Sequence, residues 1–145
     1  MATVVRAVRV AAPAAEVTKV ATDPTVVFPI MGSFGRFDFI SRHRDGSEQW
    51  DLYLNVGSIH VGGRVRVSPL STDTLIWQSL RGTRQRARIE VTPAGDGATV
   101  TMTMQVYFSG RVTGWLTGQL ARGILARNME AGLQQLRHHI EYGPG

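Results

Sequence analysis

Cysteine is absent from the chain, which excludes disulfides, thiol nucleophiles and cysteine-held metal sites. Lysine is nearly absent: Lys19 is the only one among sixteen lysines and arginines. The net charge of +5 therefore rests on arginine, a balance that permits nucleic acid, anionic membrane or acidic partners. Long apolar runs are missing as well. In the opening MATVVRAVRV arginine interrupts every apolar run, which is neither a signal peptide nor a membrane span. A cytoplasmic protein is the expectation. There is no low-complexity tract or internal repeat, and 43% hydrophobic with 19% charged residues is a globular composition. The 145 residues suit a single domain, 1–145, able to bury roughly 68–70% of its unfolded surface.

What is present organises around the last stretch. Val112 to Tyr142 reads as one long helix of about thirty residues, roughly 45 Å at 1.5 Å per residue, stopped by Gly143-Pro144. Ser109, or alternatively Thr113, supplies its N-cap. Leu125, Met129, Leu133, Leu136 and Ile140 form one apolar stripe, opposite Arg127, Gln134, His138 and Glu141. Toward the N-terminus that stripe meets Arg122, Gly118, Trp115 and Gly114, while Leu116, Leu120 and Ile124 swing to nearly the opposite face. Glycines cost a helix interior about 1 kcal/mol each relative to alanine. Gly114, Gly118 and Gly123 therefore imply either close packing on backbone or room for a ligand.

Before that helix, Thr3 to Ala12 is β-branched and ends at Pro13, a first strand. Pro13 to Ala21 is a short helix, and Asp23-Pro24 caps a second reaching about Met31. From Arg36 to Phe108 the pattern is strand. Arg36–Arg42 is followed by an Asp45-Gly46 turn, and Glu48–Val56 turns Trp50, Leu52, Leu54 and Val56 inward. Ser58–Val67 turns Ile59, Val61, Val65 and Val67 inward, and Thr74–Leu80 turns Leu75 and Trp77 inward. Arg84–Thr92 presents Ala87, Ile89 and Val91, and Thr99–Phe108 presents Val100, Met102, Met104, Val106 and Phe108. A wet face and a dry face throughout describe an antiparallel sheet covered on one side.

Catalytic constellations are not legible. His43, His60, His138 and His139 lack a second ligand at metal spacing, and Asp38, Asp51 and Glu90 fall on outward phases. Ser33, Ser41 and Ser79 have no nucleophile-elbow context. No catalytic residue, metal or cofactor is assigned.

The order strand, two short helices, six strands and one long helix resembles the START-like (SRPBCC) superfamily, which includes birch-pollen-allergen-like proteins and polyketide cyclases/dehydrases. The resemblance covers nearly the whole length, and its marks are AAPAAEV at 11–17, ATDP at 21–24 and NMEAGLQQLRHHIE at 128–141. One departure is FPIMGSFGRFDF at 28–39, where relatives often carry a tryptophan. The resemblance implies an α+β helix-grip fold: a seven-stranded antiparallel sheet wrapped around the C-terminal helix, with two short helices after strand 1. It also implies binding or transfer of a lipid, polyketide or quinone type of molecule in a cavity between sheet and helix. The alternative is a cyclase/dehydratase-like enzyme using the same cavity.

On that reading Phe37, Phe39, Trp50, Leu52, Trp77, Met102, Met104, Gly114, Trp115, Gly118, Arg122 and Met129 line the ligand site. The same stripe is also what a plain core looks like. Arg122 either pairs inside or snorkels to water. Leu116, Leu120 and Ile124 form an aliphatic row suited to a homodimer or a membrane-facing entrance. Arg64 and Arg66 on one strand and Arg84, Arg86 and Arg88 on the next but one form an outward basic patch suited to an anionic membrane surface. Nucleic acid is disfavoured, because exposed aromatics do not alternate with these arginines.

Overall fold

Each strand named above alternates in polarity, and the folded chain places those alternations on the two faces of one sheet. A computed structural model describes residues 2–57, 61–107 and 114–143, with the helix backbone alone over 114–118. Ile59, His60, Phe108 and the two expected N-caps, Ser109 and Thr113, lie outside the described residues. The elements run β1 (Ala2–Val10), α1 (Ala14–Ala21), α2 (Pro24–Ile30), β2 (Gly35–Arg42), β3 (Glu48–Leu54), β4 (Val61–Ser71), β5 (Thr74–Gly82), β6 (Gln85–Ala94), β7 (Gly97–Val106) and α3 (Gly114–Tyr142). The seven strands form an antiparallel sheet in the order β1-β7-β6-β5-β4-β3-β2. This is the α+β helix-grip arrangement.

Local chemistry sets the boundaries. Asp23 caps α2 by accepting from the Thr25 amide at 3.1 Å, with Pro24 at the first helical position. The β2–β3 connection turns at Gly46, whose φ of 89° suits glycine. There Asp45 Oδ1 accepts from the Ser47 amide and hydroxyl at 3.0 and 2.6 Å. β4 is longer than its alternation suggests, continuing through Pro69 to Ser71 where it pairs with Thr74. β1 and β3 are each shorter by two residues at their C-terminal ends, because pairing stops at Val10 and Leu54.

The long helix is held in three ways. Its apolar stripe, Ala121, Leu125, Met129, Leu133 and Leu136, is buried against the sheet, with Ile140 half-buried beside it. Each fully buried leucine or methionine there contributes roughly 1.5–3 kcal/mol. Along edge strand β1, Arg122 Nη2 donates to the Thr3 carbonyl at 3.0 Å and Arg6 Nε pairs with Glu130 at 2.7 Å. Just beyond β1, Glu141 accepts from the Ala11 amide at 2.8 Å. On the opposite side, Asn128 donates to the Asn55 carbonyl and Gln135 accepts from the Ser33 amide at 3.0 Å.

Two expectations about this helix are corrected. The buried stripe continues through Ala121, four residues before Leu125, and Arg122 instead reaches the rim of β1 as an exposed side chain. The buried row Leu133, Met129, Leu125, Ala121 runs in steps of four, each turning about 40° around the helix, so by its N-terminal end it has drifted off the side that carries Arg122. Ile124 is not on an exposed row: it is half-buried, packs against the core and approaches Gly57. Leu120 is 63% exposed, and the Leu116 side chain lies outside the described residues.

Curvature comes from irregular pairing. Register shifts interrupt β2–β3 between Phe39 and Ser41, and β4–β5 at Arg64/Val65 and again at Pro69/Ser71. At the first β4–β5 shift Gly63 pairs with Gly82, which has a φ of 86°, and a Cβ on Gly82 would collide with the Gly62 carbonyl. Gly82→Ala is therefore expected to destabilise the fold by about 1–3 kcal/mol. Gly123→Ala, where an added methyl meets nothing within 4 Å on an exposed helical turn, is expected to stabilise by about 1 kcal/mol. Denaturant unfolding of both variants measures the difference. Equal shifts of one sign would refute this account of the bulge.

Candidate functional site on the inner face of the sheet

The inner face is lined by large side chains from four directions. β3 supplies Trp50 and Leu52, β5 supplies Trp77, β7 supplies Met102 and Met104, and α3 supplies Met129, all buried. The expected lining residues Trp50, Leu52, Trp77, Met102, Met104 and Met129 thus share one apolar interior. Phe37 joins them half-buried. Phe39 does not: it is 49% exposed and meets Trp50 edge-on at 5.4 Å between ring centroids. β2 is an edge strand, and the aromatic cover contributed by α2 reaches Phe37. Arg122 lies on the rim, as described above. The surroundings of Gly114, Trp115 and Gly118 lie outside the described residues.

Two aromatics that sequence reasoning passed over stand at the centre of this interior. Phe28, on α2, stacks on Phe37 at 4.1 Å and meets Trp50 and Trp77 edge-on at 5.1 and 5.4 Å. Phe34 approaches Phe37 and Trp77 at 6.0 and 6.3 Å. Helical spacing gave a signal, since Phe28 neighbours Val27 on the buried side of α2. Phe34 lies in a turn, where periodicity is silent. Met31 is fully buried as well, and α3 approaches Met31 and Phe34 closely because Gly132 has no side chain.

Polar atoms on the same face fall into two groups. Glu48 is 4% exposed and occupies the inward phase of β3. Its carboxylate accepts from Trp50 Nε1 at 2.8 Å and from Arg42 Nε and Nη2 at 2.9 and 2.6 Å, so the buried charge is compensated. Trp77 Nε1, Gln85 Oε1 and Gln85 Nε2 are buried with no hydrogen-bond partner among the described residues, the residues being 1% and 2% exposed. An unsatisfied buried donor or acceptor costs about 1–3 kcal/mol, and such groups in a folded protein point to a missing partner. Gln85 begins β6, on the phase of Ala87, Ile89 and Val91. Period-two alternation places it inward. Its backbone amide donates to Ser79 Oγ at 3.1 Å, leaving only the side chain unmet.

The outer face carries the arginines. Arg64 is partly buried and bonded to Asp51 at 2.7 Å, so it is not a free docking charge. Hydrogen bonds from Arg64 hold the Asp51 carboxyl below the ordinary carboxylate range, and Asp51 raises the guanidinium in return. Arg88 pairs with Glu90 at 3.3 Å, and Arg84 lies over the Tyr107 ring at 5.1 Å. Arg66 and Arg86 are exposed and have no ion pair among the described residues. They stand either side of Gln78 in register.

Comparison with known proteins follows the architecture. The family model described as polyketide cyclase/dehydrase and lipid transport matches residues 1–141. No curated protein sequence matches the chain significantly. Among solved structures, TTHA0849 from Thermus thermophilus is similar with a TM-score of 0.84 at 16% identity, covering 99% of this chain and 100% of that chain. The Zhui aromatase/cyclase from Streptomyces sp. R1128 has a TM-score of 0.72 at 14% identity, covering 99% and 98%. A START superfamily protein from Mycobacterium smegmatis has a TM-score of 0.62 at 22% identity, covering 92% and 98%. At these identities the structural likeness is one of fold.

The Glu48 cluster yields a test of how the inner face is held. Glu48→Leu strands the Trp50 N–H and is expected to destabilise by about 1–3 kcal/mol. Glu48→Gln keeps an acceptor for it and should lose clearly less. Equal losses on denaturant unfolding would mean that the charge, not the hydrogen bond to Trp50, matters.

Proposed function

Because the chain belongs to the polyketide cyclase/dehydrase and lipid transport family, we propose that it binds or transfers a hydrophobic small molecule between the inner face of its sheet and α3. The observation that carries this reading is the make-up of that interior. Met31, Met102, Met104 and Met129 are all fully buried, beside the cluster of Phe28, Phe34, Phe37, Trp50 and Trp77. Methionine is unbranched and polarisable, and repacks around a guest where branched side chains resist. The reading favours binding over catalysis because Glu48, the carboxylate buried on that face, is already committed to Arg42 and Trp50. Native mass spectrometry of protein purified from its own host should show an adduct of one small apolar molecule, lost on denaturation. A bare protein mass, together with no binding of an apolar fluorescent dye, would overturn the proposal.

We propose further that cargo exchange occurs against an anionic lipid bilayer met by the outer face of the sheet. Arg66 and Arg86 are free of ion pairs among the described residues, and Leu70, which lines a surface groove with Gln78 and Arg86, is 61% exposed, a charged and apolar combination suited to headgroups over acyl chains. Among the described residues no helix is long and apolar enough to cross a membrane. Vesicles containing phosphatidylserine should bind the protein in a salt-sensitive way while phosphatidylcholine vesicles do not. The Arg66→Glu/Arg86→Glu double variant should lose most of that binding. Equal affinity for both vesicles, or no effect of the reversals, would leave this face as solvated surface.

A further inference from the structure

We propose that Gln85 and Trp77 form the polar end of the ligand site, and that the ligand is an uncharged, largely apolar molecule bearing both a hydroxyl and a carbonyl oxygen. The inference rests on the interior being a ligand site and adds which residues select and what they select.

The unmet atoms define the chemistry. Gln85 offers one acceptor and two donors, and Trp77 offers one donor. A carbonyl oxygen satisfies Trp77 Nε1–H together with one Gln85 Nε2–H, and a hydroxyl donates to Gln85 Oε1. Both side chains are neutral. An anionic or cationic ligand group would be desolvated here without a counter-charge, which disfavours it. A pure hydrocarbon would leave all three atoms unpaired, as they are now.

Placement supports a joint role. Trp77 pairs with Ala87 across β5–β6, and Ala87 pairs with Met104 across β6–β7. Gln85 stands two residues before Ala87 on the same face, which makes it a diagonal cross-strand neighbour of Trp77, at a distance long side chains span. The side chain between Trp77 and Met104 in that row is only the methyl of Ala87. The unpaired atoms have essentially no solvent contact, so a ligand reaches them by displacing adjacent side chains, and Met104 in that row is of the pliable kind.

Three matched probes test the idea by titration calorimetry: 6-hydroxy-1-tetralone, which has both oxygens, tetralin, which has neither, and 2-naphthoate, which is anionic. The wild type should bind the hydroxytetralone at least about tenfold tighter than tetralin, with 2-naphthoate weakest. Gln85→Leu, and Gln85→Met as the less branched alternative, should reduce hydroxytetralone binding to the tetralin level while leaving tetralin binding intact. Trp77→Phe should produce a partial loss of the same selectivity. Removing an unsatisfied amide should also raise the melting temperature of the ligand-free protein.

Selectivity unchanged in both Gln85 variants overturns the proposal, and so does a fall in ligand-free stability in both, which would mean the amide is already satisfied. Tight binding of 2-naphthoate overturns the neutral-ligand assignment. Binding of tetralin without preference for the hydroxytetralone sinks this inference alone. Failure of every probe to bind the wild type would overturn it together with the ligand-site reading.

Discussion

The rest of the fold depends on burying one stripe of α3. Ala121, Leu125, Met129, Leu133 and Leu136 must leave water together, and a flat sheet would cover them from one side only. The irregular pairings in β2–β3 and β4–β5 curve the sheet, with Gly63 opposite Gly82 allowing the closest backbone approach. Its two margins then flank the helix. Arg122, Glu130 and Glu141 bond to β1 and the residue just after it, while Asn128 and Gln135 bond to the loops flanking β2 and β3. Apolar burial supplies most of the attraction, and these polar contacts fix where along the sheet the helix sits.

The inner face shows how differently two polar side chains fare in the same setting. Glu48 and Gln85 both occupy inward phases of their strands and are both nearly inaccessible. Glu48 is charged, and its burial is tolerable because Arg42 and Trp50 bond to both carboxylate oxygens. Gln85 is neutral, and its side chain has no hydrogen-bond partner among the described residues. The first arrangement reads as architecture. The second stands beside pliable methionines and the aromatic cluster, the surroundings in which a guest could complete it.

The outer face makes the same distinction in charge. Several arginines project there, yet Arg64 and Arg88 are neutralised by Asp51 and Glu90, and Arg84 rests on Tyr107. Surface pairs of this sort contribute little to stability, but they decide which charges stay free to meet a partner. Arg66, Arg86 and Arg81, the last opposite Arg64, keep no ion pair among the described residues, and screening at physiological salt acts over about 8 Å.

Much of the fold was legible because periodicity reports which side of a strand or helix faces inward. The inward phases of Trp50, Trp77, Ala87, Met102 and Met104 follow from alternation, and those of Leu125, Met129, Leu133 and Leu136 from helical spacing. The α2 cap follows from Asp23-Pro24. The order of elements, with the marks at 11–17, 21–24 and 128–141, was enough to suggest the superfamily. What alternation cannot report is how far an inward side chain is covered, or by what. Phe39 shares the strand and the phase of Phe37, but Phe28 from α2 stacks on Phe37 while Phe39 is left half exposed, and the buried row of α3 drifts about 40° with each step of four, away from Arg122. Phe28 meets Trp77, and Arg122 meets Thr3, across long stretches of chain. The unmet state of Gln85 and Trp77 is likewise a property of all their neighbours at once. Facing is a local property that the sequence carries by itself. Cover and partnership belong to elements remote along the chain, and only the tertiary structure brings those together.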